Sequence, residues 1–201
     1  MITMPVELYT DGSCSKNPGP GGLGYIIRYW NLKENSDLPE PVCIEGSQGF
    51  RLTTNNRMEI LAAVYGLNNI IELINNGTLA GATQINLTSD SEYLCNAINQ
   101  RWIDKWVDNN WMTSGFQGRQ PKPVKNKDLW EQVVNLQNKL KTMNINLTVN
   151  HIKGHAGFEF NEKADQLATS ATASTNHIKD QEYERTINTI TRRRFTCPMN
   201  H

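Results

Sequence analysis

A mixed β-sheet flanked by α-helices, α/β in class, is the architecture this sequence predicts. Three apolar, alternating segments with short links open the chain and read as an antiparallel meander. A long, strongly apolar helical run follows them. Two later strand-like segments are each reached through a helix, which favours parallel addition to the sheet. With 201 residues, 38% of them hydrophobic, the chain has enough apolar material for one domain with its own core.

The first strand spans residues 4–10 and ends at Asp11, ahead of a Gly- and Pro-rich turn from Gly12 to Gly22. Residues 22–30 form the second strand, residues 31–40 a polar loop and residues 41–50 the third strand. Thr53-Thr54-Asn55-Asn56 offers capping side chains before a helix from Arg57 to about Asn76, stopped by Asn75-Asn76-Gly77. Its apolar residues (Met58, Ile60, Leu61, Val64, Leu67, Ile70, Ile71, Ile74) cover most of its circumference, as in a buried central helix. The fourth strand is 83–89, and a helix from Ser91 to about Asn99 carries Glu92 in its first turn, where the helix dipole favours an acid. A helix follows from Lys127 or Asp128 to about Met143, then a fifth strand at 144–150, a Gly-rich loop around His155 and a helix over about 160–173. From Ser174 the sequence is polar and loses its apolar period, so 1–173 reads as the domain and 174–201, with Arg192-Arg193-Arg194, as a mobile tail.

Four acids stand where a carboxylate is costly. Asp11 ends the first strand, Glu59 lies in the apolar run Met58 to Val64, Asp90 ends the fourth strand and Asp165 sits beside the apolar face of the last helix. Asp11 alone reads as a turn-initiating residue as readily as a metal ligand. Four acids in such places point to one shared cation site. Carboxylates are hard oxygen ligands suited to Mg2+.

Composition bounds the rest. The formal net charge is zero, so a polyanion would be held by a local patch or through metal rather than by a global field. Cys14, Cys43, Cys95 and Cys197 show no CxxC spacing, which argues against a zinc site and a disulfide scaffold and fits a reducing cytoplasm. No apolar run is long enough to span a membrane, and the N-terminus lacks a signal-peptide pattern. One local patch does stand out. Trp102, Trp106 and Trp111 precede a Gly/Pro loop carrying Arg119, Lys122, Lys125 and Lys127, a combination that suits nucleic acid. Trp102 and Trp106, four apart, equally suit packing of their helix onto the domain, and Asp104 and Asp108 dilute the charge.

Tyr9-Thr-Asp-Gly-Ser-Cys14, Asn17-Pro-Gly-Pro-Gly-Gly22, Thr53-Thr-Asn-Asn-Arg-Met-Glu59, Thr88-Ser-Asp-Ser91, Lys153-Gly-His-Ala-Gly157 and Asn161-Glu-Lys-Ala-Asp165 resemble, in order, the motif set of type 1 ribonuclease H. Pro121 to Trp130 resembles the end of the basic protrusion of its bacterial-type members. The resemblance covers about residues 3–172. It implies a ribonuclease H-like fold, a five-stranded mixed sheet of three antiparallel strands and two parallel additions, and hydrolysis of the RNA strand of RNA–DNA hybrids. It implies that Asp11, Glu59, Asp90 and Asp165 bind metal, with two Mg2+ ions when substrate is present and Mn2+ as a substitute. It also implies a mobile catalytic histidine at His155, which on its own would read as a surface residue. Asn17, Asn55 and Asn56 would touch the hybrid backbone and its 2′-hydroxyls, and Thr54 a DNA phosphate. Cys14, Glu92, Trp102, Trp106, Lys122 and Lys125 complete the expected substrate-contacting set.

Three features depart from the family pattern. Glu92 stands where bacterial members often have Gln, Asp108-Asn109-Asn110 stands where strongly basic residues are usual, and the residues after about 173 lie outside the minimal domain. Two other readings are a nuclease of the same fold acting on DNA and a hybrid-binding module without catalysis. The asparagine cluster argues against the first and the four intact acids against the second. The expected state is a monomer without an obligate protein partner or a membrane anchor.

Overall fold

The computed structural model describes residues 5–31, 40–114, 120–154 and 156–195, the stretch 190–195 as backbone only. In chain order the elements are β1 (Val6–Cys14), β2 (Gly19–Asn31), β3 (Glu40–Thr53), α1 (Asn55–Asn75), β4 (Gln84–Ser89), α2 (Glu92–Asn99), α3 (Trp102–Asp108), α4 (Lys127–Thr142), β5 (Asn146–His151), α5 (Glu159–Ala173), β6 (His177–Ile178) and α6 (Gln181–Phe195). The sheet order is β5-β4-β1-β2-β3-β6. β1, β2 and β3 form the expected antiparallel meander. β4 adds in parallel to β1, and β5 to β4.

The mixed sheet and its class are as the sequence predicts, with one strand more. β6 pairs in parallel with β3 through Gly49–His177 and Phe50–Ile178, and α6 follows it. The reading of everything after 173 as structureless therefore does not hold for the described part of that segment. A two-residue strand is too short to detect, and in the helix only Tyr183, Ile187 and Ile190 keep the apolar spacing among polar residues. The Arg192-Arg193-Arg194 side chains and Cys197 lie outside the described residues.

Two close approaches set the layers. A Cβ on Gly12 would collide with the Met58 and Glu59 backbone, so β1 lies hard against α1. Side chains on Gly22 and Gly24 would run into the α5 backbone at Ala168 and Ala164. Gly12 pairs with Leu23, and Gly24 faces the other way because successive strand residues alternate. Hence α1 and α5 cover opposite faces of the same two strands. The core gathers around α1, where Met58, Ile60, Leu67, Ile70 and Ile71 meet Leu8, Ile85, Leu87 and Trp130, all essentially inaccessible. Among the described residues, no helix is long and apolar enough to cross a membrane.

Candidate active site

β1 does not stop at Asp11. It continues to Cys14, with Asp11 paired to Gly24 and Ser13 to Gly22, so the carboxylate projects from inside a strand rather than from its end. The glycines opposite, Gly22 and Gly24, let the α5 backbone lie directly over this end of β2. The turn then shrinks to Ser15–Pro18.

Three acids converge. Asp11 from β1, Glu59 from α1 and Asp90 just beyond β4 each offer a carboxylate oxygen, and these oxygens lie within 4.8 Å of one another. Asp11 and Glu59 are each only 7% exposed. Asp11 Oδ1 accepts from the Gly12 amide at 2.6 Å, and Glu59 Oε1 from the Asn55 side-chain amide at 3.3 Å. Glu59 Oε2 is buried with no hydrogen-bond partner among the described residues. Burial, followed by the Asp90 charge, pushes the Asp11 carboxyl up to about 7. Burial, then Asp11 and Asp90, also drives Glu59 well above the carboxylate range. Cys95 lies buried beneath, its thiol pushed to about 12 mainly by burial, so it stays a neutral floor to the site.

The fourth acid stands apart. Asp165, half-buried on α5, is not in the tight group, although its charge adds to the rise at Asp11. Its Oδ1 accepts from the Thr169 hydroxyl at 3.3 Å. Gly154 brings the following loop against the site, since a Cβ there would sit 2.6 Å from Asp90 Oδ2. His155 itself lies outside the described residues. His151, which the sequence did not single out, places Nε2 3.2 Å from the Asp90 carbonyl.

The α1 N-terminus is capped from outside. Thr54 occupies the cap position without a side-chain cap bond, and the Asn55 amide instead donates to Asn17 Oδ1 at 3.2 Å, from the β1–β2 turn. Asn56 is exposed at the same corner. Cys14, half-buried, turns its thiol to the Lys16 carbonyl at 2.6 Å and, more distantly, to the Gly19 and Thr53 carbonyls.

Beside this corner lies a second ionic cluster that sequence reading missed. Arg57, 3% exposed, donates from Nε and Nη2 to Asp180 at 2.6 and 2.7 Å, and from Nη1 and Nη2 to Asp128 at 2.9 and 2.7 Å. Thr53 Oγ1 also donates to Asp180 at 2.8 Å. Burial works against the Arg57 charge, but its hydrogen bonds to Asp128 and Asp180 outweigh it and hold the guanidinium protonated. An arginine inside an apolar helical run was the available signal for Arg57. Asp180, in a polar segment, gave none.

The aromatic patch divides. Trp102 and Trp106 stack at 6.2 Å, and Trp106 meets Trp130 at 5.6 Å, so these rings pack α3 onto α4 and the core, half-buried. Lys122 and Lys125 are exposed. Their segment is tied back by the Thr113 amide to the Lys122 carbonyl at 2.7 Å and the Val124 amide to the Trp111 carbonyl at 2.9 Å. Glu92 is exposed on the first turn of α2, and Arg119 lies outside the described residues.

A family model described as RNase H matches residues 3–173. Curated relatives named ribonuclease H include one from Desulforamulus reducens, 40% identical over 171 residues that cover 85% of this chain and 89% of the relative. Another, from Aeromonas salmonicida, is 39% identical over 179 residues, covering 89% of this chain and 97% of the relative. Among solved structures, LC9-RNase H1, a type 1 RNase H with the type 2 active-site motif, aligns with a TM-score of 0.64 at 25% identity, over 92% of this chain and 81% of that one. LC11-RNase H1, solved in complex with an RNA/DNA hybrid, aligns with a TM-score of 0.54 at 23% identity over 84% of this chain and 96% of that one, a likeness of fold. With a family match across most of its length, relatives near 40% identity and the acids gathered at one end of the sheet, the chain belongs to the RNase H family.

Proposed function

We propose that this protein is a metal-dependent endoribonuclease that hydrolyses the RNA strand of RNA–DNA hybrids, leaving 5′-phosphate and 3′-hydroxyl ends with little sequence preference. One observation carries the reading: three carboxylates from separate elements meet within 4.8 Å, and one buried oxygen, Glu59 Oε2, has no partner among the described residues. Burial first, and then the mutual repulsion of the cluster, make Asp11 and Glu59 hold their protons abnormally tightly. A divalent cation relieves that cost. The donor set is all oxygen and anionic, which suits Mg2+, or Mn2+ in its place, and does not suit a soft metal.

Asp11, Glu59 and Asp90 would hold the metal, with Asp165 completing the site from α5 once substrate brings a second ion. Bound there, the cations supply positive charge to the scissile phosphate and make water a stronger nucleophile. The protein's own groups do the rest. The Gly12 amide and the Asn55 side chain fix the Asp11 and Glu59 carboxylates at 2.6 and 3.3 Å. His155, on the loop that Gly154 presses against Asp90, would move a proton at the leaving 3′-oxygen. Asn17, Asn55 and Asn56 gather at the α1 N-terminus, where hydrogen bonds to 2′-hydroxyls distinguish RNA from DNA, and Thr54 beside them would contact a DNA phosphate. Cys14, Glu92, Trp102, Trp106, Lys122 and Lys125 stand further from the acids as supporting contacts. We further infer a monomer acting in the cytoplasm, with 1–173 as the catalytic unit. The free thiols of Cys14, Cys43 and Cys95 fit a reducing compartment.

The test is cleavage of a labelled RNA–DNA hybrid in Mg2+, beside duplex DNA and duplex RNA. Only the RNA strand of the hybrid should be cut. Cutting of duplex DNA would favour the DNA-nuclease reading. Tight hybrid binding without cutting would leave a binding module.

A further inference from the structure

The three converging acids are not held alike. Asp11 sits inside a strand, paired to Gly24, and the Gly12 amide fixes its carboxylate. Glu59 sits inside α1, with the Asn55 side chain donating to it. Asp90 belongs to neither a strand nor a helix. It is the single residue between the end of β4 at Ser89 and the α2 cap at Ser91. Among the described residues nothing donates to its carboxylate. The aim of that carboxylate is therefore set through the backbone.

The backbone is anchored on both sides of Asp90. Ser89 pairs with His151 in the last step of the β4–β5 ladder, and its carbonyl accepts from the Ile152 amide at 3.1 Å. The Ser91 amide donates to the Ser89 hydroxyl at 3.1 Å, and the Ser91 hydroxyl caps α2 by accepting from the Leu94 amide at 3.3 Å. Between these anchors the Asp90 carbonyl is met by the His151 ring, whose Nε2 lies 3.2 Å away. A carbonyl only accepts, so Nε2 carries the proton in this bond. A neutral ring with that tautomer and a charged ring donate equally from Nε2, so the contact does not depend on the ring's charge.

The same segment reaches the other end of Asp90. A Cβ on Gly154 would stand 2.6 Å from Asp90 Oδ2, so the absence of a side chain there leaves the carboxylate its room. Residues 151–154 thus bracket the acid, with a side chain on its carbonyl and a bare backbone beside its carboxylate. His151 is exposed at the end of the edge strand β5, where core packing does not call for an imidazole. It stands outside the close group of acids, so its part is to hold a ligand rather than to be one.

We propose that His151 is a positioning residue of the metal site: its hydrogen bond to the Asp90 carbonyl fixes the peptide from which that carboxylate projects, and so sets how tightly a divalent cation is held. The proposal rests on the metal-dependent reading above. Without the bond, the Asp90 peptide would have to be ordered as the cation binds, at a cost in affinity.

The test is Mg2+ binding to the hybrid-free protein, read by titration calorimetry in the wild type, His151→Phe and His151→Gln. Phenylalanine keeps an aromatic ring on the strand and removes the donor. Glutamine returns an amide donor at similar reach. His151→Phe should weaken Mg2+ binding about three- to tenfold, the scale of one lost hydrogen bond. It should raise the Mg2+ concentration for half-maximal hybrid cleavage by the same factor, with KM for the hybrid unchanged at saturating Mg2+. His151→Gln should restore both. Equal Mg2+ affinity in the wild type and His151→Phe would overturn the proposal, as would a glutamine variant as weak as the phenylalanine one. A lower melting temperature in chelator with unaltered Mg2+ affinity would make the bond structural only and overturn it too. If the wild type bound Mg2+ without cutting hybrids, the cleavage reading would fall, while the calorimetric comparison would still decide the role of His151.

Discussion

Two ionic clusters hang from the first turns of α1, two residues apart, and they are built on opposite principles. Around Arg57 every charge is answered: one guanidinium is shared by Asp128 and Asp180, with Thr53 closing the last site. Around Glu59 no described cation answers the charge: three acids face one another with only the Gly12 amide and the Asn55 side chain donating to them, and Glu59 Oε2 accepts from no described residue. Both are buried, so neither arrangement follows from solvent access. A satisfied cluster fixes geometry and asks for nothing. A frustrated one stores a demand that only a ligand meets. The protein sets the first beside the second, so the helix carrying the frustrated acid cannot relax to relieve it.

Experiments can break this contrast from either side. Asp11→Asn removes one metal ligand and should lower hybrid cleavage about a thousandfold, since a lost Lewis-acid contact is worth several kcal/mol. Near-normal turnover would refute the metal site. On the satisfied side, Asp180→Ala leaves Arg57 buried with half its partners and should cost about 3–5 kcal/mol in denaturant unfolding. A change below about 1 kcal/mol would mean that Asp128 suffices alone. His155→Ala should reduce kcat by about ten- to a hundredfold, the scale of a general acid–base loss. Unchanged kcat would remove the histidine from the mechanism.

The smallest expected effect is a slope. Folded Asp11 keeps its proton up to about pH 7, whereas the unfolded group releases it near 3.8. Between those values the metal-free folded state binds more protons, so stability falls as pH rises and the contribution is gone above about 7. Glu59 acts in the same direction. Thermal melts in chelator from pH 4 to 8 should therefore decline, and more gently in Asp11→Asn. Added Mg2+ should restore stability at the alkaline end, with proton release on binding detected by calorimetry in two buffers. A wild-type profile that rises with pH would contradict the repulsion at the site.

Much of this was legible in the chain because costly placements leave marks. Glu59 within Met58 to Val64, or Asp90 after an apolar strand, can be noticed without coordinates. The meander and the parallel additions followed from alternation and from the helices between strands. What stayed hidden depends on space rather than pattern. Asp11 lies inside its strand because β1 goes on pairing with Gly22 and Gly24, and glycines near a turn read first as turn residues. Asp180 pairs with an arginine 123 positions away, and its polar setting gave no hint of burial. α6 shows only a narrow stripe of Tyr183 and Ile187 among polar residues, and ionic and aromatic contacts near its start add to its hold. Asp165 was grouped with the other acids by motif, yet it stands back on α5.

That setback has a mechanical origin. Gly22 and Gly24 let α5 rest directly on β2, backbone to backbone at Ala168 and Ala164. Asp165 follows Ala164 on that helix. The gap between the fourth acid and the other three is thus calibrated by two missing side chains in a strand that carries no acid. β2 works as a shim: each atom added at those glycines would push against α5 and shift Asp165 relative to the other three acids.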